Sequence, residues 1–90
     1  MSQAIVDPIE LRRFANNLRR FNGELEERMT ALAAQLHALG ASWRDQENKK
    51  FVEDFEQQMK VIKRFIDSTN EHAPFLIRKA ERIEEYLQQR

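Results

Sequence analysis

The sequence predicts an all-α protein folded as one antiparallel helical hairpin, with residues 1–90 forming a single domain. Three observations predict it. Apolar residues recur at spacings of three and four through both halves of the chain. Only two glycines and two prolines interrupt 90 residues, of which 33% are charged, so there is little material for turns. One of those glycines and the single tryptophan fall together near the midpoint, in Gly40-Ala41-Ser42-Trp43-Arg44-Asp45.

The first helix, about 8–39, starts at Asp7-Pro8-Ile9-Glu10. Asp7 can cap it, Pro8 suits the first helical position, and Glu10 stands three residues after the cap. Leu11, Phe14, Leu18, Phe21, Leu25, Met29, Leu32, Leu36 and Leu39 then keep one apolar stripe on one face. Gly40 follows directly, where a C-cap glycine belongs, and opens the turn over 40–45. Ser42 or Asp45 caps the second helix, about 46–88; Ser42-Trp43-Arg44-Asp45 has capping-box spacing with Asp in place of Glu. Its stripe is Phe51, Phe55, Met59, Ile62, Ile66, Thr69, Ala73, Leu76, Ala80, Ile83 and Leu87, widened by Val52, Phe65, Phe75 and Ile77.

Folding the arms about Trp43 and Arg44 pairs Leu36 with Phe51, Leu32 with Phe55, Leu25 with Ile62, Phe21 with Ile66 and Leu18 with Thr69. The numbers of each pair add to 87, and Met29 with Met59 is off by one. Pro74 removes the helical donor for the carbonyl of Asn70. Either the chain breaks there or one helix continues with a kink. The stripe stays in phase across the proline, from Ile66 and Thr69 to Ala73 and Leu76, which favours the kink.

A lone hairpin buries one stripe per helix. It leaves Val52, Phe65, Phe75 and Ile77 on its outer flanks, with Ala15, Ala31, Ala34 and Ala38. Covering such side chains is worth roughly 1.5–3 kcal/mol for each large one, so two hairpins are expected to associate as a four-helix bundle. The expected hairpin and dimer core is Leu18, Phe21, Leu25, Leu32, Leu36, Phe51, Phe55, Met59, Ile62, Phe65 and Ile66. The partner is a second copy or a homologous small hairpin.

Composition excludes several classes. Fifteen basic and fifteen acidic residues cancel, which argues against a dedicated nucleic-acid binder. Arg12, Arg13, Arg19 and Arg20 form the one locally basic stretch and read as a solvated helix face. With no cysteine there is no disulfide or thiolate zinc site. No apolar run approaches the ~20 residues that span a bilayer, so no stable membrane insertion is expected. Residues 1–7 lack the basic and apolar segments of a signal peptide, so the protein is expected to be made in the cytoplasm and, if exported, to use another route. His37 and His72 fall on distant parts of the hairpin and cannot share a metal within one chain. The many carboxylates alternate with Lys and Arg at helical spacings, as in Glu24 with Arg28 and Glu56 with Lys60. Neither they nor any phosphate-binding loop suggest catalysis or a cofactor.

Trp43 has two readings: a core ring that closes the turn end over Leu39 and Phe51, or an exposed anchor for a partner. With its surroundings it resembles the WXG-type family, small leaderless hairpins similar to early secreted antigens of type VII secretion systems. In that family a Trp-x-Gly turn is followed, eight residues after the Trp, by an aromatic on the second helix; Phe51 stands in that place. Here Trp43-Arg44-Asp45 replaces the glycine with a residue that can itself cap a helix. The family's export tag is a Tyr followed four residues later by an acid, whereas Tyr86 is followed by Arg90. The resemblance implies a dimeric four-helix bundle exported by a membrane-bound ATPase motor, as substrate or as partner of a larger secreted protein. The competing reading is a cytosolic coiled-coil structural or adaptor protein unrelated to secretion. A weaker third is a nucleic-acid accessory protein using the arginine face.

Overall fold

The computed structural model describes residues 6–89. Two helices, α1 (Pro8–Leu39) and α2 (Gln46–Gln88), pack antiparallel, and no strand occurs among the described residues. Asp7 caps α1 by accepting from the backbone N–H of Ile9 at 2.9 Å, with Pro8 just inside the helix. Asp45 caps α2 by accepting from the N–H of Asn48 at 3.0 Å. Of the two candidate caps in the turn, the chain therefore uses the later one.

Gly40 is the C-cap of α1, as its position predicts, but without the left-handed backbone of a Schellman cap. Gly40 keeps a right-handed φ of −60°, and no described residue has a positive φ. The helix instead ends by tightening. Gly40, Ala41 and Ser42 donate to the carbonyls of His37, Ala38 and Leu39 at 3.1, 3.1 and 3.0 Å. Arg44 Nε then donates to the freed Gly40 carbonyl at 2.9 Å, a favourable place for a cation.

The hairpin is a rod of 68 × 25 × 16 Å with a radius of gyration of 20.2 Å, against about 12 Å for a compact chain of this length. A rod this thin has a seam rather than a core. Ala15, Asn22, Met29 and Leu36 of α1 meet Val52, Met59, Ile66, Ala73 and Ala80 of α2, each series stepping by seven residues. Ala15, Asn22, Ile66, Ala73 and Ala80 are fully buried, and the others are half-buried. Side chains in the seam shrink from Leu36 near the turn to Ala15, Ala73 and Ala80 at the open end. Small residues let helices approach closely there. Ala15 thus lies in the seam and not on the outer flank, where its place beside the Phe14 stripe had suggested it would be. An apolar stripe wider than about 100° exceeds what one neighbouring helix covers, so its large members fall to one side.

Contacts across the seam join Phe21 to Phe65, Glu26 to Lys63, Arg12 to Glu84, and Asn22 to both Thr69 and Asn70. Thr69, expected opposite Leu18, bonds a residue one turn closer to the turn. Helical side chains lean toward their own N-terminus, so in an antiparallel pair the leans oppose and polar contacts join positions offset from the level register. α2 runs unbroken through Pro74, which keeps the whole of its length in one stripe.

Candidate protein-binding interface

The turn and one long side of the rod carry the features that matter. At the turn, Trp43 is half-buried, with its ring centroid 6.0 Å from that of Phe51, which lies 6.0 Å from Phe55. The three rings form a ladder over the start of α2. Trp43 is therefore partly core and partly surface. Arg44 and Asp45 beside it are exposed, and both serve the caps described above. Beneath the ladder an open groove of about 640 Å3 is lined by Leu32, Gln35, Leu36, Ala38, Leu39, Ser42, Phe51 and Phe55, with no charged side chain among them.

The groove belongs to a longer face. Phe14, Phe21, Leu32 and Leu39 are 57%, 51%, 48% and 49% exposed. They are separated by seven, eleven and seven residues, spacings that return a helix to the same face. On α2, Phe51 and Phe65 are 48% and 46% exposed. The Phe21 and Phe65 rings meet edge-to-face at 6.4 Å, and Leu32, Leu39 and Phe51 share the groove, so both stripes open on one side of the hairpin. Of the other expected core residues, Ile66 is buried, and Leu18, Leu25, Leu36, Phe55, Met59 and Ile62 are half-buried along the seam.

Exposed area measures the consequence. The chain exposes 7540 Å2, where a compact monomer of 10.8 kDa exposes about 5500 Å2. The difference of about 2000 Å2 per chain is about 4000 Å2 over two chains, on the scale that an obligate dimer interface removes.

Other singled-out residues lie elsewhere. Tyr86 is 61% exposed and lines a second groove with Phe75, Leu76, Lys79, Arg82 and Ile83. Arg90 lies outside the described residues. Arg78 stacks on Phe75 at 4.5 Å. Arg12 pairs with Glu84, while Arg13, Arg19 and Arg20 face solvent. Both histidines are exposed; a ring nitrogen of His72 lies 2.8 Å from the Ser68 carbonyl. Among the described residues no group of three His, Asp or Glu could hold a metal ion, and no helix is long and apolar enough to cross a membrane.

Reading the stripes by spacings of three and four passed over one cluster. Asn22 is 1% exposed and donates from Nδ2 to Thr69 Oγ1 and Asn70 Oδ1, both at 2.8 Å. Its Oδ1 has no hydrogen-bond partner. The heptad Ala15-Asn22-Met29-Leu36 contained the signal, but asparagine does not register as apolar.

The class defined by these features is a slender two-helix hairpin with an aromatic turn and one uncovered apolar side. The chain belongs to the WXG100 family, proteins of 100 residues with WXG, whose model matches residues 3–86. Among solved structures it is similar to the secreted protein EsxB of Bacillus anthracis strain Sterne. One point-substituted form has a TM-score of 0.78 at 24% identity, covering 94% of this chain and 96% of that one. A selenomethionine-labelled form has 0.75 at 23%, covering 96% and 98%. Similarity at that level establishes a common fold. No curated protein is significantly similar in sequence. Asp45 stands where the WXG pattern has glycine, and its carboxylate supplies the helix cap.

Proposed function

We propose that this protein is a small secreted member, or an export adaptor, of a type VII-like secretion system, and that it works as one half of a helical dimer. One observation carries the reading: a member of the WXG100 family presents a continuous apolar side made of Phe14, Phe21, Leu32 and Leu39 with Phe51 and Phe65. Covering that side with a second hairpin completes a four-helix bundle and removes the excess of exposed surface. The secreted character of EsxB, which shares the fold, supports export. The protein would reach a secretion ATPase directly or through a larger secreted partner. Arg90 stands where the family's tag has an acid after Tyr86, and in a mixed pair the homologous hairpin would carry that tag.

Light scattering at micromolar concentration tests association. A dimer mass supports like-with-like pairing; a monomer that dimerises only with a homologous hairpin supports a mixed pair; a monomer under both conditions overturns the bundle. Detection of the protein in culture supernatant, dependent on the secretion ATPase, tests export. Strictly intracellular protein would favour the cytosolic adaptor reading.

A further inference from the structure

Both sides of the seam repeat every seven residues, so a hairpin slipped by one heptad still sets apolar residues against each other, with Met29 facing Val52 instead of Met59 and Ala15 facing Ile66, while Leu36 falls level with Asp45 and Ala80 passes beyond the start of α1 at Pro8. A turn for that hairpin is already present. Slipping the pairing by seven moves the turn centre by half as much, close to the separation of Ser42 and Asp45. Ser42 stands at the start of a capping sequence that the observed hairpin leaves unused as a cap, and Gly40 has a left-handed capacity that its φ of −60° does not use.

Apart from those two end layers, the groups that distinguish the two hairpins are polar. The Thr69 hydroxyl gives its proton to the Phe65 carbonyl at 2.8 Å and so can only accept from Asn22. Asn70 accepts the second Asn22 proton. After the slip, Ile62 and Lys63 would stand in their places, an apolar side chain and a donor, leaving a buried amide with no acceptor. Asn22 also leaves its own Oδ1 unpaired in the observed hairpin, so the side chain does not maximise stability.

We propose that Asn22 is a register lock. Its two hydrogen bonds to α2 exclude a hairpin slipped by one heptad and capped at Ser42, and they do so at a cost in stability. A single buried asparagine in a helical seam has this effect elsewhere.

The chain has no cysteine, which makes the test direct. Met29→Cys with Met59→Cys reports the observed register; Met29→Cys with Val52→Cys reports the slipped one. Intrachain disulfide formation is followed under mild oxidation, with melting by circular dichroism alongside. With Asn22 present, only the first pair should close. In Asn22→Leu, the melting temperature should rise and the second pair should close at least about tenfold faster than before. Adding Ser42→Ala to Asn22→Leu should suppress that second pair again. Closure of the slipped pair with Asn22 in place would overturn the proposal. So would an Asn22→Leu protein that closes only the first pair, or one that loses its cooperative melt, since Asn22 would then support the fold without choosing between registers. Persistence of the slipped pair in the Ser42→Ala background would overturn the Ser42-capped alternative.

Discussion

Replacing Phe21 with alanine should separate folding of the hairpin from its association. Phe21 is 51% exposed, and a phenylalanine offers about 200 Å2, so about 100 Å2 remains for a partner to cover. At ~25 cal/mol per Å2 that is about 2.5 kcal/mol. In the proposed like-with-like pair a two-fold interface uses every residue twice, so that dimer should weaken by about 5 kcal/mol, or between three and four orders of magnitude in Kd. The half already covered by the hairpin, partly by the Phe65 ring, contributes about 2.5 kcal/mol to the fold itself. Helicity should therefore survive at room temperature while the melt shifts downward. Sedimentation equilibrium across a concentration series gives Kd, and far-UV circular dichroism gives helicity. A Kd changed less than about tenfold, with helicity intact, would show that this side of the rod is not the interface, because loss of a central ring cannot be so mild there.

Five further substitutions probe the turn, the seam and the interior of α2. Trp43→Ala should cost about 2 kcal/mol, below the range for a fully buried tryptophan because the ring is only half covered, and chemical denaturation measures it. Asp45→Ala should cost about 1 kcal/mol through loss of the bond to Asn48, a fall of about 4–8 °C in Tm. Asp45→Gly, which restores the family's residue, should cost only a few tenths of a kcal/mol. Thr69→Val should destabilise by about 1–3 kcal/mol, since it strips a buried Asn22 proton of its acceptor, and the same denaturation series checks it. Pro74→Ala should raise Tm by restoring a donor to the Asn70 carbonyl inside an unbroken α2, with no change in far-UV spectrum shape.

The hairpin was legible because its signals are local and repeated. Asp7 with Pro8, and Asp45 with Asn48, complete their caps within three residues of sequence, so no distant contact is needed to recognise them. The Trp43–Phe51 pair spans one turn and a little of α2 and carried the family resemblance. The seam was less legible. Ala15 and Asn22 sit on its centre line, but counting apolar bulk favoured Phe14 and Phe21 beside them. Gly40 is the C-cap that its place after Leu39 predicts, but its conformation was not legible: it stays right-handed, and tightened backbone bonds and the Arg44 side chain satisfy the helix end. That choice depends on where α2 must enter to pack, which local sequence does not specify.

The amino-acid sequence alone determined that the chain is helical, that it doubles back near Trp43, and that it carries more apolar side chains than one hairpin can cover. Those properties follow from spacing and capping, which act over a few residues. Only the tertiary structure decided which members of a wide stripe meet. It put alanines and one asparagine on the buried line between the helices and left the phenylalanines on a common side. Two packed cylinders touch along a line, so geometry assigns that line to the residues centred on it, whatever their size.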